Sequence, residues 1–292
     1  MILTEGANPK SENIDLMTTQ EIVDLINQED QGIALAVAKV KPSIVQAIEG
    51  IVSGLKKGGR LLYFGAGTSG RLGVLDASEM PPTFGADPTL VQGFIAGGDT
   101  ALRRSVENAE DSAELALQDL ERVAPAPQDA VVGLSVSGMP AYVCTVLEKA
   151  REKGAFTIAI SCNPEAKMKQ FADVFINPLV GPEVVTGSSR MKAGTAQKMI
   201  LNMLSTGTMI RLGKTYHNYM IDMCVTNAKL KARAIRTIKE ITGVSDDKAE
   251  KALAQAHNKV KVACVMAKTN CPEEEALKQL EQGHQILRNV IK

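Results

Sequence analysis

Three short runs of glycine and hydroxyl residues carry the chemistry-bearing side chains of this 292-residue chain. The first, Gly65-Ala66-Gly67-Thr68-Ser69-Gly70, breaks an apolar run at Leu61–Phe64 and precedes a helical pattern through Leu72, Val74 and Leu75. A strand that enters a helix through such a loop points free backbone N–H groups and the positive helix end at an anion. Gly67 permits close backbone approach, and the Thr68 and Ser69 hydroxyls can donate to phosphate oxygens. The loop has neither the GxGxxG spacing of dinucleotide folds nor the lysine of a P-loop. Ser135 with Ser137, and Thr186 with Ser188 and Ser189, repeat the pattern. Each run alone also fits a helix cap or turn, where Ser, Thr and Gly are favoured. Three of them together point to a phosphorylated ligand.

Charged residues near these runs admit two uses each. Arg190, Lys192 and Lys198 follow the third run and could pair with a substrate carboxylate or coat a helix. Arg71 could assist a phosphate or pair with Asp76. By pattern alone Glu79 and Glu110 are solvated helix residues. His217, His257 and His284 lack matched partners, although His217 lies in a Tyr-rich connection that could reach a cleft. No set of side chains has metal-ligand spacing, so no metal and no cofactor is expected.

The elements that must position these groups alternate. Strand-like runs at Leu61–Phe64, Leu90–Ala96, Ala130–Val136, Phe156–Ser161 and Val174–Ile176 are apolar on both faces, as in a covered parallel sheet. Helical patterns at Arg71–Glu79, Asp99–Val123, Ala141–Lys153 and Glu165–Phe171 lie between them, the first ended by Pro81-Pro82. The expected fold is α/β: a doubly wound, flavodoxin-like, five-stranded parallel sheet with ligands off the carboxyl ends of its strands. Residues 1–20 read as a polar extended arm. A helix capped at Thr18 or Thr19 follows, then another over Ile33 to Lys57 with Pro42 inside or at a join. Beyond a helix from about Met191 to Leu212, Lys214 to Cys224 reads as a connection or short helix, and Asn227 to Thr242 as a basic amphipathic helix. Ser245 caps the first of three short tail helices. The expected division is an arm and helix at 1–45, a binding domain at 46–228 and a helical region at 229–292.

Composition narrows the class. Lys+Arg and Asp+Glu both number 33, so no basic excess suggests a nucleic-acid partner. No apolar run approaches the roughly 20 residues of a membrane span, and MILTEGANPKSE lacks a secretion-signal layout. Five scattered cysteines without CxxC spacing suit reduced thiols in a cytoplasmic protein.

The stretch GAGTSGRLGVLDASEMPPTFG resembles the signature of the N-acetylmuramic acid 6-phosphate etherases, within the sugar-isomerase (SIS) superfamily. The likeness continues through IAGGDTALRRSVENAEDS, TGSSRMKAGTAQKMILNMLSTGTMIRLGK and VTNAKLKARA, and includes the N-terminal TEGANPKSENIDLMTTQEIVDLINQED. It implies a phosphosugar ligand and cleavage of the C3–O lactyl ether of a 6-phosphorylated amino sugar, serving cell-wall recycling. It matches Glu79 to the acid that protonates departing lactate and Glu110 to a second essential Glu, here assigned as base, with Glu107, Asp111 and Glu114 as alternatives. The family usually has a Thr shortly after the SG of the second run; Met139-Pro140 stands there instead, and a donor is lost. Ten residues separate Ser69 from Glu79, about 15 Å along a helix, longer than a hexose phosphate. Either the helix bends near Gly73, or the site is shared across the homodimer common among SIS proteins. The rivals are a non-catalytic phosphosugar-binding regulator and an aldose–ketose phosphosugar isomerase.

Overall fold

The computed structural model describes residues 3–291; the first two residues of the expected arm and the last of the tail lie outside them. The arm, expected to be extended, forms three single 3-10 turns, Leu3–Glu5, Pro9–Ser11 and Ile14–Leu16. Thr18 then opens α1 (Thr19–Lys39) with a capping box, in which the Thr18 hydroxyl accepts from the Glu21 N–H and the Glu21 carboxylate accepts from the Thr18 N–H. α1 runs through Gly32 and stops at Val40, where Pro42 imposes the break, and α2 (Lys41–Leu55) follows. The junction therefore lies seven residues later than Ile33.

The next elements are β1 (Leu61–Gly65), α3 (Gly67–Ser78), α4 (Met80–Phe84), β2 (Val91–Ile95), α5 (Gly98–Arg103), α6 (Ala113–Val123), β3 (Ala130–Leu134), α7 (Ala141–Glu152), β4 (Phe156–Ile160) and β5 (Val174–Ile176), with a 3-10 segment at Lys167–Phe171 where a helix over Glu165–Phe171 was expected. After them come α8 (Lys192–Arg211), β6 (Thr215–Tyr216), β7 (Tyr219–Met220), α9 (Ala228–Thr242), α10 (Asp246–Gln255), α11 (Val260–Thr269) and α12 (Glu273–Gln282). Pro81 and Pro82 start α4 as much as they end α3, because proline is tolerated in a first turn. The expected helix over Asp99–Val123 is two helices with an irregular segment at 104–112. Arg104 turns extended, Asn108 takes a left-handed conformation, and the Ser112 hydroxyl accepts from the Leu115 N–H to cap α6. β6 and β7 form an antiparallel hairpin where a connection or short helix was expected.

Contacts divide the chain into two compact units, one running from the arm to Ser78 and over Thr89–Ser205, the other comprising Glu79–Pro88 and Thr206 onward. The first holds the parallel sheet in the order β2-β1-β3-β4-β5. Leu61 pairs with Val91 on one side and Ala130 on the other. β1 and β3 are buried along their whole lengths, as the two-faced apolar runs require. Leu62 and Phe64 pack into a cluster with Leu120, Tyr142 and Leu147, whereas Tyr63 meets Gly73 of α3. The chain crosses from β1 to β2 on one side and to β3 on the other, so the topological switch point lies between the carboxyl ends of β1 and β3.

The second unit packs α9 to α12 around Ala234, Ile238, Leu253, Val260, Ala263 and Leu280. Asn227 and Ser245 cap α9 and α10 through their side chains. Within it, buried Lys261 donates to Asp222 at 2.7 Å and to the Gln285 carbonyl.

Candidate active site

α3 meets the sheet closely enough to bring its first turn over the end of β1. A β-carbon on Gly70 would stand 2.6 Å from Ile95 and 2.7 Å from the Gly65 carbonyl oxygen, and one on Gly93 would stand 2.6 Å from Val74. Only glycine permits that approach. Gly67 takes φ of 54°, the left-handed turn from strand to helix. The Gly70 N–H already donates to the Ala66 carbonyl, so the N–H groups of Gly67, Thr68 and Ser69 are those left by helix geometry without intrahelical partners.

This first turn lines a cavity of about 310 Å³ together with Ser135, Val136 and Ser137 after β3, Gly187 and Ser189 of the third run, and Glu110. Seven expected site residues thus meet in one place: Gly67, Thr68, Ser69, Ser135, Ser137, Ser189 and Glu110. No Lys, Arg or His is in the lining. An anion there would be held by N–H and hydroxyl donors. Glu110 enters because 104–112 is not helical, and its carbonyl accepts from the Tyr142 N–H at 3.0 Å. Glu107 and Arg71 line an adjoining cavity of about 190 Å³, which Glu110 also borders.

Other expected residues lie elsewhere. Thr186 borders a separate cavity beside the arm, and Ser188 and exposed Arg190 are outside the first lining. The Lys192 side chain is only 4% exposed and reaches Glu29 at 2.6 Å. Arg71 donates to the Leu102 carbonyl and not to Asp76. Asp76 instead accepts from Tyr63, Asn202 and Ser205 at 2.9–3.0 Å; burial raises its pKa against the pull of those donors. His217 contacts Arg288 in the second unit. α3 is continuous through Gly73, so the helix is not broken there. Glu79 is exposed at the turn into α4 and belongs to the second unit.

Several supporting residues carry no local sequence signal. Buried Gln197 accepts from the Ser69 hydroxyl at 2.8 Å. Ser161 and Asn163, after β4, donate to the Val136 and Ser137 carbonyls and frame the second run. Gly138, with φ of 66°, leaves no room for a β-carbon beside Ala166. Buried Glu183 accepts from the Lys192 and Ala193 N–H groups and closes the start of α8. Burial pushes the Cys162 thiol beside the second run up to about 12, which favours its protonated form. Among the described residues no cluster of His, Cys, Asp and Glu could hold a metal.

A parallel sheet with a cavity at its switch point is the arrangement of doubly wound α/β ligand-binding domains, and the family matches place the chain among the SIS domains. Residues 107–207 match the SIS domain, 43–151 the N-terminal SIS domain of glucokinase regulatory protein, and 217–262 the C-terminal lid domain of that protein. Over the whole chain the likeness is more specific. N-acetylmuramic acid 6-phosphate etherase of Caldanaerobacter subterraneus subsp. tengcongensis is 50% identical, with 100% of this chain and 95% of that protein covered. N-acetylmuramic acid 6-phosphate etherase 2 of Vibrio cholerae is 48% identical over 99% and 94%. The Glaesserella parasuis etherase is 50% identical over 96% and 92%. The chain belongs to the N-acetylmuramic acid 6-phosphate etherase family.

Proposed function

We propose that this protein is a carbon–oxygen lyase that cleaves the D-lactyl ether of N-acetylmuramic acid 6-phosphate, giving N-acetylglucosamine 6-phosphate and D-lactate. The observation that carries this is full-length identity of about half to the etherases, and the cavity supplies matching chemistry. The phosphate sits at the α3 N-terminus, where N–H groups without intrahelical partners and the Thr68 hydroxyl line the cavity, the Ser69 O–H being donated to Gln197. The C1 aldehyde of the opened sugar acidifies the C2 proton, which Glu110 removes as base. The lactate oxygen leaves from C3 and takes a proton from an acid, and water then adds at C3. One carboxyl must be ionised while the other is protonated near neutral pH.

Glu79 is the proposed acid. α3 spans 12 residues without a break, about 18 Å at 1.5 Å per residue, so a phosphate at its start and an acid past its end do not meet on one short sugar. A homodimer with shared sites meets that distance. Leu16, Val23, Leu35 and Val45 on the arm, α1 and α2 are exposed apolar side chains that a second copy could cover. Among the described residues no helix is long and apolar enough to cross a membrane. Free, mostly buried cysteines support a reducing cytoplasm, and the reaction would serve peptidoglycan recycling.

The direct test is lactate release from N-acetylmuramic acid 6-phosphate by wild type, Glu79→Ala and Glu79→Gln. Release by wild type and its loss in both variants, with binding retained, is expected. The matches to a regulatory protein favour one alternative, a phosphosugar-binding regulator, which would bind the compound and release nothing.

A further inference from the structure

The cavity contains a carboxylate that the reaction above does not use. Glu5 closes the 3-10 turn at Leu3–Glu5 and lines the cavity with Gly67, Ser69, Ser135 and Ser189. Its Oε2 lies over Gly187, 3.1 Å from where a β-carbon on that residue would stand. Among the described residues no cation or donor is bonded to this carboxylate. The segment behind it is firmly held. Asn8 donates to Glu29 at 2.9 Å and to the Pro182 carbonyl, and Lys10 reaches Glu29 at 2.8 Å. Lys192, just past the third run, reaches the same Glu29. One part-buried carboxylate therefore ties the arm that carries Glu5 to the run that carries Gly187.

We infer that Glu5 is a substrate-orienting residue, its carboxylate accepting hydrogen bonds from donors on the sugar part of the phosphosugar while its charge keeps the phosphate at the α3 end. This rests on the phosphosugar assignment of the same cavity. An ionised carboxylate only accepts, so it can pair with hydroxyl or N-acetyl N–H groups and repels a phosphate. No cation in the lining pairs with the carboxylate, and solvent at the exposed Glu5 weakens that repulsion without removing it. A ligand with donors at one end and a dianion at the other can enter in one orientation only.

The test measures binding of two ligands, inorganic phosphate and N-acetylglucosamine 6-phosphate, to wild type, Glu5→Gln and Glu5→Ala by titration calorimetry. The sugar phosphate should weaken in the order Glu, Gln, Ala, by about tenfold or more for Ala, the scale of one hydrogen bond to a charged group. Inorganic phosphate should bind more tightly to both variants, because a like charge has been removed. Opposite responses are the signature, since a residue that only holds the arm would move both ligands together. Parallel shifts, or no shift in a wild type that binds both, overturn the role of Glu5 alone. A wild type that binds neither ligand overturns the phosphosugar assignment itself.

Discussion

Glu29 is a residue whose charge several segments depend on. Burial by itself would raise its pKa, but hydrogen bonds from Lys10, Lys192 and Asn8 outweigh it and hold the carboxyl at about 2 against an ordinary 4.5. A folded-state pKa below the unfolded one contributes stability that is present above the unfolded value and lost as pH falls through the folded one. The difference corresponds to on the order of 3 kcal/mol. In urea unfolding, wild type should exceed Glu29→Gln in stability at about pH 7, and the gap should close between about pH 5 and pH 2. A gap that persists at the acid end would mean the ion pairs are not its source. Asp76 works differently, as the acceptor for three buried or part-buried donors. Asp76→Ala orphans the fully buried Tyr63 hydroxyl and should cost about 2–4 kcal/mol, read as a lowered Tm. An unchanged Tm would show that water takes the place of the carboxylate.

At the scale of elements, α3 is decisive because it starts at the anion end and finishes at the proposed acid. Its seat against β1 and β2 depends on absent side chains at Gly65, Gly70 and Gly93. Gly93→Ala places a methyl against the α3 backbone, not against a flexible side-chain tip, and overpacking of that kind typically costs about 1–3 kcal/mol. Thermal unfolding of the variant should show that loss, accompanied by weaker sugar-phosphate binding as the first turn of α3 is pushed outward. The strands were legible in the sequence because β1, β3 and β4 are short apolar runs buried on both faces; β2, at the sheet edge, carries Gln92 and is only part-buried. Segment 104–112 was not, since its residues can continue a helix; the Ser112 cap and the left-handed Asn108 end that pattern, and this brings Glu110 to the cavity.

For the whole molecule, the shared-site proposal has a direct consequence. If Glu79 completes the partner's cavity, a Ser69→Ala, Thr68→Ala double variant and a Glu79→Gln variant, each inactive alone, should recover activity when unfolded and refolded together. Statistical mixing of a two-fold dimer makes half the molecules mixed, each with one intact site, so about a quarter of wild-type activity should return. No recovery, in a sample shown to contain mixed dimers, would place Glu79 in its own chain's site or outside the reaction.

What could be read from residue order was what depends on neighbours in the chain: the strands, the helix cap at Thr18 or Thr19 and that at Ser245, and the strand-to-helix turn at Gly65–Gly70. Those follow from periodicity, capping and glycine conformation, which act over a few residues. Tertiary structure alone decided that Glu5, 62 residues before Gly67, lines the same cavity, that Gln197 holds Ser69 across 128 residues, and that Lys192 is spent on Glu29. Such pairings are chosen by packing and by the need to satisfy buried polar atoms. No local pattern in the arm or in α8 encodes them.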